Sequence, residues 1–196
     1  MRPSEASAVT GIEAALRRLA HYDDESIANG VWARQRYDAG AFAGFAEARA
    51  AAVVTAWHEA GHAVAALAVG ARFSSASIHH GRDNAGRVHG IAGSGGQGFV
   101  IDAAGQIAER LRDWTMLERD GELRAWLAGW RGDGGDARHF RQASRARFGD
   151  DEVAAWRYSE RLVTPLRLRI RHVARALLVH PLPLPYQVVL ALAEGH

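Results

Sequence analysis

The run His58-Glu59-Ala60-Gly61-His62 concentrates more potential chemistry than any other five residues of this 196-residue chain. On an α-helix, residues four apart share a face, so the two imidazoles can meet at one metal ion. Neutral imidazole nitrogens at about 2.0–2.1 Å in tetrahedral geometry suit zinc. Glu59, one step on from His58, points away from the ligand axis but can reach a water molecule on the metal, as a general base must. With 10 histidines and 11 glutamates in the chain, this pattern arises in roughly 3% of shuffled sequences. The alternative is a pair of core histidines bonded to backbone or to Glu59, which places costly polar groups inside an apolar helix.

A catalytic zinc needs a third protein ligand and an open fourth position. Cysteine is absent, which excludes thiolate sites, disulfides and cysteine nucleophiles. The third ligand must then be histidine, aspartate or glutamate. Glu109, in AGQIAER, lies on a downstream helical pattern and can serve as a ligand, stand behind one, or face solvent. Asp136, in GWRGDGGDARHF, follows two glycines at the mouth of a new helix, a position that equally suits a plain N-cap. The residues alone leave both open. His79, His80, His89 and His139 are weaker candidates, since turn and helix-surface histidines usually face solvent.

The segment that must position the motif is AAAVVTAWHEAGHAVAALAVGA, residues 50–71. It is about long enough to cross a bilayer. Two histidines, an ionised glutamate at its centre and the lack of a second span predict instead a buried helix in a soluble core, ended by Gly70. Upstream, Thr10-Gly11-Ile12-Glu13 has the form of a capping box opening a helix with Ile12, Leu16 and Leu19. Asp24 is placed to cap a second helix carrying Ile27, Val31 and Trp32 and ending at Gly40.

Downstream the period changes. Phe73–Ile78 and Gly86–Ile91 read as two strands around HHGRDNAG, followed by a glycine-dense loop over residues 90–98. Helical spacing returns at about residues 101–114, 123–130 and from 136, then over 151–163 and from Pro165 to 179. There the prolines of HPLPLP stop it, before a last helix over 186–193. The expectation is a mainly α protein with a small β-hairpin or sheet, an α+β fold built on a zincin-like helix. It predicts a single soluble domain, with residues 1–49 as an N-terminal helical extension to the unit at 50–196.

Composition narrows the function classes. Hydrophobic residues at 48% and charged residues at 23% are ordinary for a globular chain. All 24 basic residues are arginine, against 22 acidic ones, so no bulk positive charge points to nucleic acid. Arg167, Arg169, Arg171 and Arg175 alternate with Leu166, Leu168 and Ile170 and read as a partly solvated helix face. Without lysine there is no GxxxxGK[ST] phosphate loop, and no nucleotide is expected. The first residues lack the apolar run of a signal peptide, which predicts a cytoplasmic chain.

HEAGHAVAAL, the glycine-bearing hairpin, AGQIAE and GDGGDARHFRQA together resemble the peptidase domain of FtsH-type ATP-dependent zinc proteases, over roughly residues 55–146 and more loosely to 193. The resemblance implies a zinc endopeptidase acting on unfolded or flexible polypeptide, standing without the family's ATPase module. It implies one zinc ion per chain on His58, His62 and Asp136, with Glu59 as general base and Glu109 as the supporting helix glutamate. Gly86, Arg87, Val88, His89 and Gly90 match the strand that takes substrate backbone. Ala104, Gly135 and Ala137 depart from the family pattern. Expected partners are a polypeptide substrate and a separate ATPase or a second copy, with neither membrane nor nucleic acid. The competing reading is a non-catalytic zinc-containing adaptor or regulatory domain derived from such a peptidase.

Overall fold

The computed structural model describes residues 2–28, 45–78, 86–130, 135–180 and 182–195, with side chains from residue 50 in the second segment. In chain order the elements are α1 (Pro3–Arg18), α2 (Phe45–Ala68), β1 (Ser75–Ile78), β2 (Gly86–His89), α3 (Gly98–Asp113), α4 (Asp120–Gly129), α5 (Asp136–Phe148) and α6 (Glu152–Val163). A 3-10 turn (Thr164–Leu166), α7 (Arg167–Val179), β3 (Leu184–Pro185) and α8 (Tyr186–Glu194) follow. A further helical turn covers residues 24–28. The fold is thus mainly helical with one small antiparallel sheet. Among the described residues no helix is long and apolar enough to cross a membrane.

Alanine makes α2 an axis that neighbours can approach from several sides. Ala52, Val53, Ala56, Trp57, Ala60 and Ala63 to Ala66 are all buried. At Gly61 the approach is tightest: an added Cβ would collide with the Ala104 carbonyl oxygen and lie 2.7 Å from the Ala108 Cβ. The backbones of α2 and α3 therefore meet at the motif itself, and α3 lays one face along it. On its other side α2 meets α7, against which α1 and α8 pack. Asp24 is buried where these parts join, accepting from Trp57 Nε1 at 2.8 Å and from Arg175 Nε at 2.6 Å. Arg171 Nε stands 3.8 Å from Asp24 Oδ1 and Arg167 Nε donates to the Leu111 carbonyl at 3.0 Å, so three of the four alternating arginines serve the fold.

Helices α5 and α6 pack over α3, and α4 packs on α6, held by aromatic contacts. Trp156 meets Trp126, Trp130 and Phe140 at centroid separations of 4.9, 5.4 and 6.1 Å. Arg141 on α5 caps the last turn of α4, donating to the Leu127 and Trp130 carbonyls at 2.6 and 3.1 Å and to Glu152 at 2.9 Å. Carbonyls at a helix end have no partner within the helix, so this one side chain fastens α5 in place against α4.

The boundaries of several expected elements are corrected, and the expected small sheet gains a third strand. α1 starts at Pro3, where the Glu5 carboxylate accepts from the Arg2 backbone N–H at 2.6 Å; Thr10 lies mid-helix with its hydroxyl on the Ala6 carbonyl at 3.0 Å. The tolerance of helices for proline in the first turn outweighs the capping-box pattern. The hairpin is part of a three-stranded sheet ordered β2-β1-β3, with Ser75 opposite His89 and Ile78 opposite Gly86, and Ala76 opposite Leu184. HPLPLP thus does more than stop α7: it adds an edge strand of two residues, where proline is tolerated. The strands are also shorter than 73–78 and 86–91, and α2 begins at Phe45 rather than at residue 50. The expected helix through Val31 and Trp32 to Gly40 and the turn at residues 79–85 lie outside the described residues.

Candidate metal centre

The helix α2 presents His58 and His62 from one face, their rings edge-on with centroids 4.5 Å apart. Their Nε2 atoms are 2.8 Å apart. Asp136, the first residue of α5, brings Oδ2 to 3.2 Å from His58 Nε2 and 3.3 Å from His62 Nε2. Gly135 before it has φ +90°, a backbone state that glycine adopts without strain. Gly135, at the N-cap, has no side chain with which to cap α5; the Asp136 carboxylate is turned to the imidazoles.

These three side chains form a group able to hold a metal ion. Ligands at about 2.0–2.1 Å in tetrahedral geometry stand roughly 3.3–3.4 Å from one another, close to the observed edges of 2.8, 3.2 and 3.3 Å. The outer ring nitrogens determine what the inner ones offer. His58 Nδ1–H donates to Glu109 Oε1 at 2.6 Å, and His62 Nδ1–H to the Ile101 carbonyl at 2.6 Å. A neutral imidazole with its proton on Nδ1 has a bare lone pair at Nε2. Two lone pairs and a carboxylate oxygen therefore converge and repel unless a cation lies among them. Glu109 is itself held by Gln106, whose Nε2–H donates to the same oxygen at 3.0 Å. Such outer partners fix ring orientation and raise ligand basicity.

In the metal-free chain that cation is a proton. Burial opposes charge on His58, but the hydrogen bonds to Asp136 and Glu109 and the charges of Glu59 and Glu109 outweigh it, lifting the pKa to about 10. Conversely, burial of Asp136 is overcome by His58 and His62, which hold its carboxyl well below the usual carboxylate range. A metal ion must displace the His58 proton, so binding at pH 7 should release about one proton per chain, and apparent affinity should rise with pH. Calorimetry in buffers of different ionisation enthalpy measures this; metal binding without proton release would remove His58 from the ligand set.

Space for the ion comes from α3. An added Cβ at Gly105 would lie 2.6 Å from His58 Nε2 and 2.7 Å from His62 Nε2, inside the position an ion must share. Gly105→Ala is therefore expected to weaken metal binding at least about tenfold, by analogy with the loss on disturbing groups around a metal site. Alanine is the better helix former by about 1 kcal/mol, so the fold should hold. Unchanged metal affinity in that variant would place the ion elsewhere.

Glu59 is buried and faces β2. An added Cβ at Gly86 would lie 2.8 Å from Glu59 Oε1 and collide with its Cγ, so only glycine lets the strand come this close. Burial raises the Glu59 pKa against the pull of His62 and His58, and among the described residues its carboxylate has no hydrogen-bond partner. β2 lies at the edge of the sheet, its outer side unpaired among the described residues.

The structure thus brings together His58, Glu59, His62, Glu109, Asp136 and Gly86. Arg87, Val88 and His89 continue the edge strand, with Arg87 exposed, and Gly90 follows at φ +69°. His139 is exposed on α5 outside the ligand group; His79, His80 and residues 131–134 are not among the described residues. Sequence reasoning missed Gly105, Gln106 and the Ile101 carbonyl. Gly105 and Glu109 stand four apart on one helix face, a spacing that could have pointed to the first; a backbone carbonyl leaves no mark in a sequence.

Compared with family models, with curated proteins and with solved structures, the chain matches none.

Proposed function

We propose that this chain is a zinc-dependent endopeptidase acting on unfolded or flexible polypeptide. The observation that carries the proposal is the position of Glu59. It is a buried carboxylate without a hydrogen-bond partner among the described residues, one residue from a His-His-Asp ligand group and against an unpaired strand edge. Three protein ligands of nitrogen and oxygen with a position left over are what a catalytic zinc uses.

His58, His62 and Asp136 would hold the ion. When bound, zinc supplies a Lewis acid that polarises a carbonyl and brings the pKa of water to about 7. Glu59 takes the proton of the attacking water at a carboxylate oxygen and passes it to the leaving nitrogen. Its raised proton affinity favours the first half of that transfer, the removal of the proton from water. Glu109 and the Ile101 carbonyl keep the rings in the tautomer that leaves Nε2 free. β2 receives the substrate as an added strand, pairing backbone with backbone.

Strand addition requires an extended segment. A folded domain presents one only by opening, at a cost that reaches its whole folding free energy in the core. The test loads the purified chain with zinc and offers casein and one small domain, both intact and as a destabilised variant. Chelator-sensitive cleavage of casein and of the destabilised variant, with little of the intact domain, is expected. Full zinc occupancy without cleavage of either would favour the adaptor reading. Folded substrates would then require an unfolding partner, such as a separate ATPase.

A further inference from the structure

The register of the sheet places one charged side chain beside a polypeptide that joins β2. Gly86 is where β2 touches Glu59: an added Cβ there would lie 2.8 Å from Glu59 Oε1. Successive side chains of a strand point to opposite faces. Gly86 and Val88 therefore face α2, and Val88 packs against the core. Arg87 and His89 point to the other face, with Arg87 exposed.

Arg87 forms no hydrogen bond or ion pair among the described residues. Opposite it on β1 stands Ser77, whose hydroxyl is buried without a hydrogen bond. The rest of β1 is Ser75, Ala76 and Ile78, and the next side chain on the same face of β2 is His89. Neither strand offers the guanidinium a carboxylate. On its outer side β2 has no neighbouring strand among the described residues. An extended segment added there sets one of its residues directly opposite Arg87, on the same face, with Cβ atoms about 4.5–5.5 Å apart. The residue next to it in sequence comes opposite Gly86, beside Glu59 and the metal group. The side chain that meets Arg87 therefore lies close to the scissile bond.

We infer that Arg87 is a specificity-determining residue that pairs with an acidic side chain of the polypeptide, on the residue adjacent to the one held at Gly86. This rests on the peptidase reading above. Guanidinium and carboxylate match in a planar, bidentate bond. Opposite charges facing each other across two strands stabilise the pairing, and like charges weaken it. A free carboxy terminus shares this chemistry with an aspartate or glutamate side chain.

The test uses the zinc-loaded full chain and peptides of one flexible sequence, acetylated at the amino terminus and amidated at the carboxy terminus. A single glutamate, alanine or lysine is moved through the positions flanking the cleaved bond. One further peptide has a free carboxy terminus and no acidic side chain. At one position kcat/KM should fall in the order glutamate, alanine, lysine. Glutamate should exceed alanine by about three- to fivefold, the upper range for an exposed pair across strands. In Arg87→Gln the three rates should draw together at that position, and in Arg87→Glu their order should reverse. Higher ionic strength should shrink the preference of the unsubstituted chain, as it does between exposed charges. Arg87 is an exposed surface residue, so both variants should fold.

A second readout is fluorescence-anisotropy binding of the glutamate and alanine peptides to zinc-loaded Glu59→Gln protein, with and without Arg87→Gln. Cleavage by the unsubstituted chain without an acidic preference that Arg87→Gln removes overturns this inference and leaves the peptidase reading standing. So does a loss in Arg87→Gln that is equal for all peptides, which would make the residue a support of the strand. Preference for the free carboxy terminus alone overturns the assignment to a side chain. If nothing is cleaved the peptidase reading fails, and equal binding of the two peptides then overturns the acidic-residue site as well. Tighter binding of the glutamate peptide, lost in Arg87→Gln, would uphold that site without the peptidase.

Discussion

Replacing Glu59 by glutamine is expected to cut peptide hydrolysis by roughly 10²–10⁴-fold while metal content and thermal stability stay near those of the unsubstituted chain. The amide keeps the shape that fits against Gly86, where an added Cβ would meet Glu59 Cγ and Oε1. It cannot accept a proton from water. It also removes a charge whose burial raises the carboxyl's pKa, so the substitution should cost the fold little. Metal analysis beside a casein assay reads both halves. Hydrolysis near the original rate would remove Glu59 as the base, and loss of metal would make it a ligand.

The next largest effect separates the two carboxylates. Asp136→Ala deletes one of three ligand atoms and should lower metal affinity by more than the roughly 10–100-fold expected when only an outer partner is lost. Glu109→Gln should fall within that smaller range: it lies on the far side of the ring, 2.6 Å from His58 Nδ1, and an amide oxygen can still accept there. Competition with a chelating dye orders the two. A stronger loss in Glu109→Gln than in Asp136→Ala would exchange their roles.

Much of the fold could be read from local patterns. The helices from α3 to α8 follow apolar spacing and the glycine and proline positions that end it, because both act within a turn or two of the chain. The start of α1 was misread for the same kind of reason: Pro3 and Glu5 compete with a capping pattern at Thr10, and only the packed helix reveals which prevails. β3 has two residues and no period, so nothing in Leu184–Pro185 announces a strand. It exists because β1 has a free edge for it.

Local pattern is enough to let His58 and His62 share an ion, since four residues along a helix suffice and α2 is one continuous helix. It also determined that a third ligand must be sought without cysteine, and that Glu59 stands beside the pair. Residue pattern left two carboxylates open, the family resemblance favoured Asp136, and the packed helices bring Asp136 rather than Glu109 to the ring tips. Glu109 is 51 residues from His58 and Asp136 is 78 away, and local periodicity has no reach over such spans. The choice follows from the crossing of α2 and α3 at Gly61 and Ala104, which places Glu109 behind the ring, at Nδ1. Arg141 and the aromatic layer fasten the start of α5 so that Asp136 meets the ring tips. The same packing aims the Ile101 carbonyl at His62 and leaves Gly105 as the space between them. A backbone acceptor and an absent side chain have no identity in a one-dimensional pattern; they acquire one only when two helices touch.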